Sequence, residues 1–135
     1  MLVDTSVWIA YFNGQTSQQS ALLTSALHHH DYIAICGIVM MEILQGIRTQ
    51  KDYNATKTAL EAFDCLSSQN STFILSADIY RSLKQKGCTP RKSIDCLIAA
   101  TAIETKLPLL HQDKDFLPIA KHCGLTQILG SESHH

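Results

Sequence analysis

Short apolar bursts alternate along the chain with longer stretches whose apolar residues recur at helical spacing. The bursts predict strands at residues 1–4, 32–36 (YIAIC), 72–75 (TFIL), 109–110 and 126–129. Between them the pattern predicts a turn or two of helix over 6–12 (SVWIAYF), ended by Asn13-Gly14, then helices over 17–29, 38–48 (IVMMEILQGIR) and 53–66. Further helices are expected over 76–86, ended by Gly87, and over 93–105 (SIDCLIAATAIET), with Ser93 as N-cap. Leu107-Pro108 stops the latter, and a short helix follows Asp115. Strands alternating with helices imply right-handed crossovers. The expected fold class is therefore α/β, a three-layer α/β/α arrangement around a mainly parallel sheet of about four to five strands.

The apolar pattern is broken at a few places, and each break is an acid. Asp4-Thr5-Ser6 separates Leu2-Val3 from Val7-Trp8-Ile9. These residue types favour a helix start, but an acid at a strand end can also do chemistry. Glu42 interrupts IVMMEIL and shares a helical face with Ile38, Val39, Gln45 and Gly46. Asp95 shares its face with Ile98, Ala99 and Ala102, while Asp113 and Asp115 follow the 109–110 strand. Sites in parallel sheets form beyond the carboxyl ends of the strands, which brings Asp4, Asp113 and Asp115 to one edge.

Taken singly, Asp4 and Asp95 suit helix-capping or first-turn positions. Glu42 suits a buried arginine partner, and Asp113 and Asp115 suit a turn. Taken together they need something to cancel their repulsion, because a buried, unpaired carboxylate is costly, and lysine is scarce near most of them. A hard divalent cation meets that need, and Mg²⁺ is held by a few carboxylates together with waters and substrate phosphate. Such a site suits hydrolysis of phosphate esters.

Length and charge refine the picture. The 135 residues fit one domain, expected over 1–130, with 131–135 as a tail of either native or tag origin. The formal net charge of -1 provides no global attraction to a polyanion, so nucleic acid would need a local basic patch or bound cations. Lys84, Lys86, Arg91 and Lys92 precede the Asp95 helix, and Lys114 lies between two of the acids. A solvated helix end accounts for Lys84 and Lys86, whereas Arg91, Lys92 and Lys114 are candidates to hold phosphates. His28-His29-His30 is a poor metal site, because consecutive helical residues diverge by about 100°. Five cysteines without a CxxC pair suggest reduced thiols and a cytoplasmic setting. No apolar run reaches the roughly 18 residues of a membrane span.

In this order and spacing the acids carry a family resemblance across essentially the whole chain. Asp4-Thr5-Ser6 in LVDTSVWI, Glu42 in MMEILQG, Asp95 in IDCLIAA, and Asp113 and Asp115 in LLHQDKDF resemble the PIN-domain ribonucleases. More specifically, they resemble the VapC-type toxins of toxin–antitoxin pairs. The resemblance implies that Asp4, Glu42, Asp95 and Asp113 form a catalytic acidic quartet. It also implies that Asp4, Asp95, Asp113 and the accessory Asp115 hold Mg²⁺ or Mn²⁺ and position water for endonucleolytic cleavage of RNA. Transfer RNA or a ribosomal RNA loop would be the target, and translation would stop. Thr5 or Ser6 would hydrogen-bond the acids or the metal waters. Implied partners are a VapB-like antitoxin whose tail lies over the active site and a second copy of the toxin in a homodimer or larger assembly. The helices near 38–47 and 53–66, together with Trp8, are candidates for the antitoxin groove. His111 stands where the family has Thr or Ser, and either a phosphate-contacting imidazole or a strand-end histidine without a role fits the sequence. Two other readings are a Mg²⁺-dependent phosphatase, which would want a second acid at the position of Ser6, and a PIN module that binds RNA or a partner without cutting.

Overall fold

The structure is a computed structural model that describes residues 1–128. Five parallel strands, β1 (Leu2–Val3), β2 (Ala34–Cys36), β3 (Asp64–Leu66), β4 (Leu109–Leu110) and β5 (Gln127–Ile128), form one sheet in the order β3-β2-β1-β4-β5. The register pairs Leu2 with Ala34 on one side and with Leu109 on the other. Leu2, Val3, Ala34, Ile35, Leu109 and Leu110 have no solvent exposure. These short central strands therefore read as continuous apolar bursts, as expected where helices cover both faces.

Among the described residues, seven α-helices fill the connections: α1 (Thr5–Phe12), α2 (Gln18–His28), α3 (Gly37–Gln45), α4 (Gln50–Leu60), α5 (Asn70–Gln85), α6 (Ser93–Thr105) and α7 (Leu117–Cys123). The first three strands step one way from β1 and the last two step the other way. Right-handed crossovers consequently place α1–α4 on one face and α5–α7 on the other. Packing of α1 on α2 and α3, and of α5 on α6 and α7, agrees with this. Ile35 lies in the middle of the sandwich, so Ile35→Val is expected to cost about 1 kcal/mol through the lost methylene and its cavity. Urea denaturation would measure that loss.

Three expectations fail locally. The TFIL segment is helical, not a strand. Gln69 N–H donates to Thr72 Oγ1 at 3.0 Å, and Thr72 Oγ1 donates to Glu104 Oε1 at 2.5 Å. Thr72 thus closes the first turn of α5 and ties it to α6, which outweighs the β preference of Thr, Phe and Ile. The helix expected over 53–66 stops at Leu60, and Asp64–Leu66 instead adds β3 at the sheet edge beside β2. Ser93 is the first residue of α6 and not its cap. Lys92 occupies the cap position with extended backbone. The 126–129 strand is present as Gln127–Ile128, while its last position, the domain limit at 130 and the tail 131–135 lie outside the described residues. Among the described residues, no helix is long and apolar enough to cross a membrane.

Candidate active site

β1 and β4 lie side by side, and the chain leaves them towards opposite edges of the sheet. Their carboxyl ends define the topological switch point, where open α/β sheets form a crevice. Asp4 N–H donates to Leu110 O at 2.9 Å, which fixes the residue after β1 against the end of β4. Its Oδ2 accepts from Ser6 N at 3.1 Å and from Ser6 Oγ at 2.6 Å, capping α1. Gln112 N–H donates to Ser6 Oγ at 3.3 Å, so one hydroxyl joins the Asp4 carboxylate to the loop after β4. Thr5 Oγ1 donates to Glu42 Oε1 at 2.7 Å, linking the start of α1 to half-buried Glu42 on α3.

The loop after β4 is shaped by its own acids. Asp113 Oδ1 accepts from Asp115 N at 2.9 Å and caps a 3₁₀ turn over Lys114–Phe116. Asp95, three positions into α6, faces this turn. Asp95, Asp113 and Asp115 each offer a carboxylate oxygen within 4.8 Å of the others. Asp4 lies outside that trio but is near enough for its charge to act on Asp95. Asp4 and Asp95 are each only 4% exposed. The fold therefore gathers Asp4, Asp95, Asp113 and Asp115, and Glu42 is attached to them through Thr5 and the first turn of α1.

Electrostatics single out Asp95. Burial pushes its carboxyl up to about 6, and Asp113, Asp4 and Asp115 add to the rise against the opposing pull of Lys92. Its Oδ2 is buried and has no hydrogen-bond partner. An orphaned carboxylate oxygen among other acids is costly, and a donor set made of carboxylates alone suits a hard divalent cation. The residues present thus fit Mg²⁺ or Mn²⁺.

All ion pairs among the described residues occur here. Lys92 Nζ lies 3.7 Å from Asp95 Oδ1 and 3.5 Å from Asp113 Oδ2, and Arg91 Nη1 lies 4.0 Å from Asp115 Oδ1. Burial draws the Lys92 ammonium down, but the Asp95, Asp113 and Asp4 charges outweigh it and leave it above its usual range. Arg91 is 75% exposed, so its long contact contributes little. Lys114 is exposed on the 3₁₀ turn.

His111 is a buried, positioning histidine. Its Nδ1 accepts from Asp113 N–H at 3.2 Å, so the proton sits on Nε2, which donates to Gln127 Oε1 at 2.8 Å. The ring also packs on Phe116 with centroids 4.8 Å apart. With both nitrogens used, the imidazole braces the Asp113 turn, a role that sequence reading missed because Gln127 is distant in the chain. Trp8 does not line a groove. It is 1% exposed and packed against Phe12 and Phe63, which places it in the core. All five cysteines are free, and burial pushes the Cys36 and Cys96 thiols up to about 11.

Comparison with known proteins gives the family of the chain. The PIN domain family model matches residues 1–122. Ribonuclease VapC11 of Mycobacterium tuberculosis (strain H37Rv) is 32% identical over 127 residues, covering 93% of this chain and 95% of that protein. Ribonuclease VapC1 of Methanocaldococcus jannaschii is 30% identical over 125 residues, covering 93% and 84%. Among solved structures, VapBC2 from Rickettsia felis bound to a DNA fragment from their promoter matches with a TM-score of 0.76. That match covers 94% of this chain and 96% of the other at 18% identity, a likeness of fold. The chain belongs to the PIN-domain family and, within it, to the VapC ribonucleases.

Proposed function

We propose that this protein is a divalent-metal-dependent endoribonuclease, the toxin of a toxin–antitoxin pair, which cleaves structured cellular RNA in the cytoplasm and so arrests translation. Transfer RNA is the proposed substrate. The observation that carries the reading is the buried, partnerless Oδ2 of Asp95 beside Asp113 and Asp115 at the switch point. Asp95, Asp113, Asp115 and Asp4 would hold Mg²⁺ or Mn²⁺. When bound, the cation supplies charge that polarises the scissile phosphate and lowers the pKa of the attacking water. Glu42 would add a further carboxylate on the α3 side of the crevice, and Thr5 fixes its orientation through the 2.7 Å hydrogen bond. Ser6 and His111 keep Asp4 and the Asp113 turn from swinging apart.

RNA would approach a mouth rimmed by exposed Arg91 and Lys114. Their double replacement by Ala is expected to raise KM about tenfold with little change in kcat and to flatten the salt dependence of binding. Steady-state cleavage at two salt concentrations checks both effects. The proposed antitoxin would cover the same mouth and a groove between α1, α3 and α4 lined by Ile9, Phe12, Glu42, Ile43 and Ile47. The toxin would act as a homodimer or as part of a larger toxin–antitoxin assembly.

The test is incubation of the purified chain with total transfer RNA and ribosomal RNA in Mg²⁺, Mn²⁺ or EDTA, followed by mapping of the new ends. Site-specific cuts that vanish with EDTA and in Asp113→Asn support the reading. Cuts that persist in both remove the metal assignment, and intact RNA throughout removes the nuclease.

A further inference from the structure

Among the described residues, Lys92 is the one cation that contacts two of the three clustered carboxylates. Its Nζ lies 3.7 Å from Asp95 Oδ1 and 3.5 Å from Asp113 Oδ2. We propose that Lys92 is an internal counter-ion that competes with the divalent cation for Asp95 and Asp113, so that metal loading and release of this ammonium are one coupled event. The proposal rests on the metal-dependent reading above and concerns what regulates that site.

The geometry gives Lys92 both a seat and a way out. Its backbone is fixed as the extended residue before α6, three positions before Asp95. Its side chain is 52% exposed, whereas that of Asp95 is 5% exposed, so the ammonium reaches the acids from the solvent side. Arg91 does not duplicate it, because its single contact is 4.0 Å long and its side chain is 75% exposed. An ammonium is a compact point charge on a flexible stem and cannot ligate a metal. A cation bound to the same oxygens would stand only a few ångströms from it, where like charges repel strongly near a low-dielectric wall. Linkage makes the effect reciprocal: whatever Lys92 contributes to the metal-free chain, it subtracts from metal affinity. Once displaced, the ammonium remains at the mouth where an RNA phosphate would enter.

Three measurements test this. By calorimetry, Lys92→Met should bind Mn²⁺ about tenfold more tightly than wild type, while Lys51→Met, which removes the same charge on α4, should stay within about twofold. In EDTA, Lys92→Met should melt at lower temperature than wild type. In the wild-type chain, Mg²⁺ saturation should speed acylation of the Lys92 amine by a mild amine reagent relative to Lys51, read by peptide mass spectrometry. This last readout needs no variant to fold. Equal or weaker Mn²⁺ binding by Lys92→Met, or acylation unmoved by Mg²⁺, overturns the proposal. If metal binding is intact in both chains but equal, only the Lys92 competition fails. If neither chain binds Mn²⁺, the metal-dependent function fails with it.

Discussion

Asp95→Asn is expected to reduce RNA cleavage by about 1000-fold and yet to make the metal-free protein more stable at neutral pH. The two effects share one cause. Burial, reinforced by Asp113, Asp4 and Asp115, pushes the Asp95 carboxyl from 3.8 up to about 6. For an acid whose folded pKa lies above its unfolded value, the folded chain holds more proton in the window between the two. Stability is then highest below 3.8, falls as pH rises to about 6, and stays reduced above that. A displacement of this size corresponds to roughly 3 kcal/mol. Asn keeps the shape and loses the charge, but it also gives up the 3.7 Å contact with Lys92. The net gain at neutral pH is therefore expected to be about 1 kcal/mol. Urea melts in EDTA should show the variant ahead of wild type at neutral pH, with the gap closing as pH falls below about 6. A variant less stable than wild type at neutral pH would show that the carboxylate is not under strain, and cleavage within tenfold of wild type would remove Asp95 from the reaction.

The same residue shows why much of this site was legible in one dimension. A carboxylate inside IDCLIAA has no reason to be there unless it is satisfied by something, and the same holds for Asp4 after Leu2-Val3. Parallel topology then brings Asp4 and Asp113 together without further information, because both follow central strands. The partners that make the acids tolerable were not legible. Lys92 looked like one of several basic residues before a helix, and only the folded chain puts its ammonium between Asp95 and Asp113. For His111 the sequence left a phosphate-contacting imidazole and a strand-end histidine without a role both open, and neither reading included Gln127, sixteen residues on, as the partner of its second nitrogen. Two of the three local failures, the strand expected at TFIL and the missed edge strand, have the same origin. Phe73 and Ile74 are 54% and 62% exposed, so their apolar character marks no core strand. The edge strand Asp64–Leu66 exposes its first two residues and carries none of the apolar continuity that marked the central strands.

Asp4 offers the cleanest separation of capping from chemistry, because asparagine can do the first and not the second. Its Oδ2 takes the Ser6 N–H and hydroxyl, which an amide oxygen can also accept. Asn and Asp are comparable N-caps, whereas Ala forfeits about 1 kcal/mol. Asp4→Asn should therefore melt within about 0.5 kcal/mol of wild type, and Asp4→Ala about 1 kcal/mol below it. Both should lose about 1000-fold or more in cleavage, since neither returns a negative oxygen to the crevice. Paired urea melts and end-mapping of cleaved RNA give the four numbers. If Asp4→Asn cuts RNA within tenfold of wild type while Asp4→Ala fails, Asp4 serves the site only by starting α1. If both variants fold and neither cuts, the acid that interrupts the first strand is part of the machinery that breaks the phosphodiester, and its capping bonds are what hold that acid in place beside Leu110.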